Sequence, residues 1–308
     1  MADAPRRVLV IRLGALGDIV QSFGPFAAVR AHHPDAEITL LTTAPYADWL
    51  RGAPWFDRVL VDARPRWFDV AGLRHLASQL RGYDMVYDLQ TSGRSTRYFW
   101  LAGRPPWSGI GWHRRYKHRD PGRDHLHSWE RQRGQLRDAG IDAVPAVGRA
   151  ALAGLIAPPP SRPEGRYAVL IPGAAAHRPE KCWPAAQYGE LARLLIARGL
   201  GVVVAGADAD AARSAAIVAL APGSRDLTGQ TSLASLAGLL DGAAVAIGND
   251  TGPMHLSAAL GRRCLVLFGG ASDPALTAPR EPDGGPVRVL RERKLADLTV
   301  ARVAAALP

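Results

Sequence analysis

Short apolar runs alternate with amphipathic stretches along the whole chain. Residues 8–11, 37–41, 58–61 and 85–89 read as strands. Helical spacing runs from the first of these to about residue 31, and recurs at 71–80, from about 95 to 101, and at 129–139. Residues 157–165, Ala-Pro-Pro-Pro-Ser-Arg-Pro-Glu-Gly, break every pattern, as a linker does. The alternation then restarts, with strands at 167–171, 201–205, around 226–227, at 243–247 and at 264–268. Helices are expected at 184–198, 209–219, 232–240 and after Pro253, and an amphipathic segment, 296–307, closes the chain. This pattern predicts an α/β protein of two doubly wound Rossmann-like domains, 1–160 and 161–308, facing across a cleft. The closing helix is free to pack back on the first domain.

Composition narrows the class. With 308 residues, 47% hydrophobic and 21% charged, the chain suits two ordinary soluble domains. It lacks the roughly 18 uninterrupted apolar residues of a membrane span. The N-terminus carries no signal-peptide pattern, so a cytoplasmic protein is expected. Two cysteines, Cys182 and Cys264, support neither a disulfide framework nor a cysteine zinc site. A net charge of +10 implies an anionic partner: nucleic acid, a membrane surface or a phosphorylated substrate.

Candidate chemistry gathers where strands end. The first strand runs into Arg12-Leu-Gly-Ala-Leu-Gly17-Asp18, whose glycines are spaced G-x-x-G and not as a dinucleotide fingerprint. The second ends in Thr42-Thr43, where a nicotinamide fold would place an acid, so a dehydrogenase is excluded. Asp18 is either a helix cap or a functional carboxylate at the sheet edge. Gln90 and Arg94 follow the strand ending at 89 and are candidates for the same cleft. From 107 to 137 the chain turns basic and aromatic, with Arg114, Arg115, Lys117, Arg119, His125 and His127. The histidine spacing does not suit a metal, and the run matches no nucleic-acid motif.

In the second half, residues 245–260 read as strand, tight turn and helix. Asp250 or Thr251 would cap, Pro253 would take the first helical position, and the helix start would suit a phosphate. Lys181 stands just before another helix start, and Asp208 follows a strand where it could accept hydrogen bonds from ribose hydroxyls. Lysine, helix terminus and acid together resemble a nucleotide-diphosphate site, although each singly is as well read as a surface lysine or a cap.

With these motifs in order, the chain resembles glycosyltransferase family 9, the bacterial heptosyltransferases of the lipopolysaccharide inner core. The resemblance rests on Arg12-Leu-Gly-Ala-Leu-Gly-Asp18, Asp88-Leu-Gln90, Pro172-Gly173 with Lys181-x-Trp183-Pro184, Leu227-Thr228-Gly229 before Thr231-Ser232-Leu233, and Gly248-Asn-Asp250-Thr251-Gly252-Pro253-Met254-His255. It implies the GT-B architecture and metal-independent, cofactor-free, inverting transfer of a sugar from a nucleotide donor, typically ADP-heptose. It further implies Asp18 as general base, a donor site of Lys181, Asp208, Thr231, Asp250, Thr251, Gly252, Pro253 and His255, and closure of the two domains about their hinge. Acceptor contacts are expected from Gly17, Gln90, Arg94, Arg114, Arg115 and Lys117 to an anionic glycolipid, with peripheral attachment to the inner face of the cytoplasmic membrane. The chain departs from the family at Ala174-Ala175-Ala176, where hydroxyl residues are common, and at Asp208, where some members have glutamate. Other readings of the same site are a transferase for another nucleotide sugar or glycan, or a degenerate sugar-nucleotide-binding protein.

Overall fold

The computed structural model describes residues 4–111, 118–175, 178–285 and 287–307. The chain divides into two compact units, 1–147 and 148–308. The first holds β1 (Arg7–Ile11), α1 (Leu16–Val20), α2 (Phe23–His32), β2 (Glu37–Thr42), α3 (Ala44–Leu50), β3 (Arg58–Val61), α4 (Val70–Leu80), β4 (Met85–Asp88), α5 (Gly93–Leu101), β5 (Trp107–Ser108) and α6 (Ser128–Asp138). Its five strands are parallel in the order β3-β2-β1-β4-β5.

The second unit holds β6 (Tyr167–Ile171), α7 (Ala185–Ala197), β7 (Gly201–Val204), α8 (Ala211–Leu220), β8 (Arg225–Asp226) and α9 (Leu233–Asp241). It continues with β9 (Val245–Asn249), α10 (Gly252–Ala259), β10 (Cys264–Phe268), α11 (Pro274–Thr277), β11 (Arg288–Arg291) and α12 (Val300–Ala305). All six strands are parallel, ordered β11-β10-β9-β6-β7-β8. In both sheets the order reverses beside the first strand, between β1 and β4 and between β6 and β9. An open α/β sheet leaves its ligand crevice at such a crossover, outside the carboxyl ends of the strands.

The central strands are apolar because helices cover both their faces; β6, β9 and β10 are buried at every position. The pattern missed β5, which is only two residues long, and β11, an edge strand whose Arg-Val-Leu-Arg sequence is half exposed. It also missed α3, between Thr43 and Arg51. The single helix expected up to residue 31 is two. Ser22 Oγ donates to Asp18 O at 2.8 Å, and Pro25 in the first turn of α2 has no N–H to continue the ladder.

The division lies at 147/148, before the proline stretch, because the intervening segment packs on the second unit. A 3-10 stretch, Arg149–Leu155, buries Leu152 and Leu155, Arg149 pairs with Asp241 at 2.8 Å, and Ala157 N donates to Ala234 O at 2.9 Å. The helix α12 packs on α7, with Val303 and Ala304 in the core of the second unit.

Candidate functional site

The loop after β1 carries Asp18 into the first turn of α1. Its Oδ2 accepts from Ala15 N at 3.1 Å, so the carboxylate caps its own helix. Its Oδ1 lies 3.2 Å from Arg12 Nη2, and the Asp18 side chain remains 45% exposed. Arg12 is buried. Its Nε and Nη2 donate to Asp18 O at 3.1 and 2.9 Å, and Nη1 donates to Leu89 O at 2.5 Å. Burial lowers the Arg12 pKa, and the nearby Asp18 and Asp88 carboxylates offset that shift. One guanidinium thus ties the loops after β1 and β4 together and fixes the direction of Asp18.

The loop after β4 is built on Asp88, whose Oδ1 accepts from Gln90 N at 3.1 Å and Thr91 N at 3.0 Å. Burial pushes its pKa up to about 6 against these hydrogen bonds and the charge of Arg12. Gln90 Oε1 accepts from Leu13 N at 2.8 Å, a second tie between the two loops. These loops and α6 enclose a pocket of ≈310 Å³ lined by Arg12, Asp18, Leu89, Gln90, Thr91, Ile110, Arg123, Asp124, Ser128, Arg131 and Gln132.

Three of those lining residues are arginines. Arg123 Nη2 donates to Thr91 Oγ1 at 3.0 Å, and its pKa is lowered by burial and by the charge of Arg131. Arg131 donates to the carbonyls of Leu126 at 2.8 Å and Asp124 at 2.9 Å. Neither Arg123 nor Arg131 stood out in the sequence, where they are two charges among many in a basic segment.

Of the expected acceptor residues, Gln90 lines this pocket and Gly17 is buried in α1. Arg94 turns elsewhere: its Nη1 lies 3.4 Å from both Pro65 O and Tyr98 Oη, and its guanidinium 5.5 Å from the Trp67 ring centroid. Arg114, Arg115 and Lys117 lie outside the described residues. Arg119 is exposed, His125 sits in a 3-10 turn, and His127 Nδ1 caps α6 by accepting from Trp129 N at 3.1 Å.

In the second unit the loops after β9 and β6 meet through Asn249. Its Oδ1 accepts from Trp183 N at 3.0 Å and Tyr188 Oη at 3.1 Å, and its Nδ2 donates to Pro172 O at 2.7 Å. Trp183 is fully buried, and its indole Nε1 donates to Leu298 O at 2.8 Å. The segment before α7 is therefore nailed down on both sides of its tryptophan, with Lys181 closing a 3-10 turn, Pro179–Lys181.

Lys181 Nζ lies 2.6 Å from Asp250 Oδ2, and the two side chains are 18% and 7% exposed. Asp250 is thus not a cap. Thr251 takes the N-cap place in extended backbone without a side-chain capping bond, and the helix opens at Gly252 with Pro253 second. His255 is buried in the first turn. Gly248 makes the approach possible, since a Cβ there would sit 2.7 Å from Met254 Sδ and 2.8 Å from Ile171 Cβ.

Asp208 lies in the 3-10 turn Asp208–Asp210 after β7, against Gly229 in the loop that leads to the half-buried Thr231. A neighbouring acid was missed. Asp210 Oδ2 accepts from Ala207 N at 3.0 Å and lies so close to Gly173 that a Cβ there would meet it at 2.3 Å. Because β6 lies between β9 and β7, the loops bearing Lys181, Asp250 and the two acids are neighbours at one sheet edge. Among the described residues, no group of three His, Cys, Asp or Glu side chains is placed to share a metal ion.

A family model described as glycosyltransferase family 9 (heptosyltransferase) matches residues 73–302, well over half of the chain. Lipopolysaccharide heptosyltransferase 2 of Salmonella typhimurium is 33% identical over 126 residues, 39% of this chain and 36% of the relative. The chain thus spans little more than a third of that relative's length. Lipopolysaccharide heptosyltransferase 1 of Pseudomonas aeruginosa is 25% identical over 295 residues, 88% of this chain and 80% of the relative. The structure of E. coli heptosyltransferase WaaC with ADP matches at a TM-score of 0.79 and 25% identity, covering 97% of this chain and 98% of that one.

Proposed function

Since the chain belongs to glycosyltransferase family 9, we propose that it is an inverting, metal-independent transferase that moves a heptose from ADP-heptose to a lipopolysaccharide inner-core acceptor. The observation that carries this reading is Lys181, held at 18% exposure beside the start of α10 where the second sheet reverses its strand order. A half-buried ammonium and a helix N-terminus both attract a diphosphate, and both act most strongly as the leaving group gains charge. Lys181 has three donors, so it can keep Asp250 and still reach a phosphate oxygen. Asp208, Thr231, Thr251, Gly252, Pro253 and His255 complete the donor site in this reading, with the acid taking ribose hydroxyls. The WaaC structure was solved with ADP, which supports the choice of nucleotide.

Asp18 is then the base. The acceptor hydroxyl oxygen bonds to the anomeric carbon from the face opposite the diphosphate. The carbon to phosphate-oxygen bond breaks with its electron pair going to the leaving group, and the hydroxyl proton passes to Asp18. One carboxylate suffices for inversion, and Asp18 is exposed enough to meet a hydroxyl while Arg12 and Ala15 N hold its direction. Arg12, Arg123 and Arg131 give the adjoining pocket the charge that an acidic sugar or phosphate calls for.

Such an acceptor is lipid-linked, so the reaction is assigned to the inner face of the cytoplasmic membrane. Among the described residues no helix is long and apolar enough to cross it. The test is thermal stability with ADP, UDP, GDP and dTDP and their sugars, because a ligand of the folded state raises its melting temperature with the logarithm of concentration over Kd. ADP-heptose and ADP should stabilise, and ADP should be released when acceptor is added. Stabilisation by another nucleotide alone would transfer the site to a different donor. Binding of ADP-heptose without turnover would make the chain a sugar-nucleotide-binding protein.

A further inference from the structure

We propose that the loop between β3 and α4, with the adjoining flank of α5, docks the first unit on an anionic lipid bilayer. Trp67, Phe68 and Val70 are 41%, 75% and 57% exposed, three large apolar side chains displayed within four residues. Isolated exposed apolar residues need no explanation, but a cluster rimmed by charge marks an interaction surface. Guanidiniums frame it: Arg66 lies 5.0 Å from the Phe68 ring centroid, and Arg94 and Arg97 lie 5.5 and 5.0 Å from that of Trp67. Further along α5, Trp100 is 54% exposed, with Arg104 5.2 Å from its ring.

The display is built. Asp62 is buried, accepts from Tyr98 Oη at 2.6 Å and from Arg64 N at 2.8 Å, and so fixes the start of the loop. Asp69 accepts from Gly72 N at 2.9 Å and caps α4. Both local acids therefore have structural work, while the arginines stack on aromatic faces at the surface.

Aromatic rings beside guanidiniums suit the boundary between lipid headgroups and acyl chains, where the ring enters the apolar side and the cation meets phosphate. A bilayer carrying anionic headgroups supplies both partners over a wide area, which matches a surface where the guanidiniums of Arg66, Arg94, Arg97 and Arg104 outnumber the exposed carboxylate of Asp69. The surface also borders the candidate site, since Arg64 Nη2 lies 3.4 Å from Leu13 O in the loop that carries Asp18. A lipid-linked acceptor would meet that loop from the docked side, a consequence that rests on the proposed function; the docking itself does not.

The test is co-sedimentation of the full chain with vesicles of phosphatidylcholine alone and of phosphatidylcholine mixed with phosphatidylglycerol. The protein should bind the mixed vesicles and be released by salt. The double variant Phe68→Ser/Val70→Ser should bind them at least roughly ten-fold more weakly, with unchanged melting temperature and unchanged stabilisation by ADP. Arg66→Gln/Arg97→Gln should lose the preference for phosphatidylglycerol. Equal binding by wild type and the double variant, or binding by neither, overturns the proposal. So does a wild-type dimer that the double variant abolishes, which would make the patch a contact between copies. Failure of the donor assay with vesicle binding intact would sink the transferase reading and leave this one standing.

Discussion

Lys181 and Asp250 are 69 residues apart in sequence and 2.6 Å apart in space, and the carboxylate is the more buried partner. The pair separates two roles that sequence leaves merged. Lys181→Met should weaken ADP binding by about 1.5–3 kcal/mol, roughly ten- to a hundred-fold, because a charge-assisted contact to phosphate is lost. Asp250→Asn should lower the melting temperature and reduce affinity less, because the lysine is kept and only its brace is weakened. Titration calorimetry beside thermal melts would tell them apart; a larger affinity loss in Asp250→Asn than in Lys181→Met would reverse the assignment.

Asp18→Asn should lower kcat by about 10²–10⁴-fold, the usual worth of a general base. Asparagine can still accept from Ala15 N, so the melting temperature and the ADP-induced shift should stay close to wild type. Near-normal turnover would return Asp18 to the role of a helix cap.

Arg123 and Arg131 face the same pocket as Asp18, and burial already works against the Arg123 charge. Arg123→Gln/Arg131→Gln should raise KM for a carboxylate- or phosphate-bearing acceptor by roughly ten-fold or more, as the loss of a charged hydrogen bond does. KM for the nucleotide sugar should not move, and wild-type acceptor KM should rise with salt while that of the variant rises less. Unchanged acceptor kinetics would remove these arginines from the binding site.

His33 is buried with its Nε2 2.8 Å from Tyr87 Oη. Burial first, then His32 and Arg30, lowers its pKa from 6.5 to about 4. The unfolded chain therefore takes this proton more readily. The stability His33 contributes is complete above 6.5 and is lost as pH falls from there towards about 4. As pH falls across that window, wild type should therefore lose melting temperature relative to His33→Gln, which can keep a bond to Tyr87. Asp88, raised from 3.8 to about 6, has the opposite sign and withdraws stability as pH rises between those values. Both proteins carry Asp88, so it cancels in the comparison; equal slopes would assign the acid sensitivity to other groups.

The motif around Asp18 and the turn at 249–252 were visible because a buried parallel strand must be apolar and must end in a polar turn. The same rule hid β11, whose arginines are tolerated only because an edge strand shows one side to water. It also placed the unit boundary in the prolines at 157–165, whereas the segment from 148 onward is held by Asp241 and Ala234 in the second unit.

What the sequence by itself determined was the central strands, the alternation that makes two parallel sheets, and the loops where Asp18, Gln90, Lys181, Asp208 and Asp250 would stand. Those follow from periodicity and turn chemistry, which act over a few residues. Only the tertiary structure decided which loops are neighbours, because strand order depends on crossovers that no local pattern records. Asn249 joining Trp183 to Pro172 and Arg12 joining Asp18 to Leu89 are both contacts made across those reversals of strand order. In each, a buried polar group had to find its partner on another strand's loop, and that requirement set the geometry of both candidate sites.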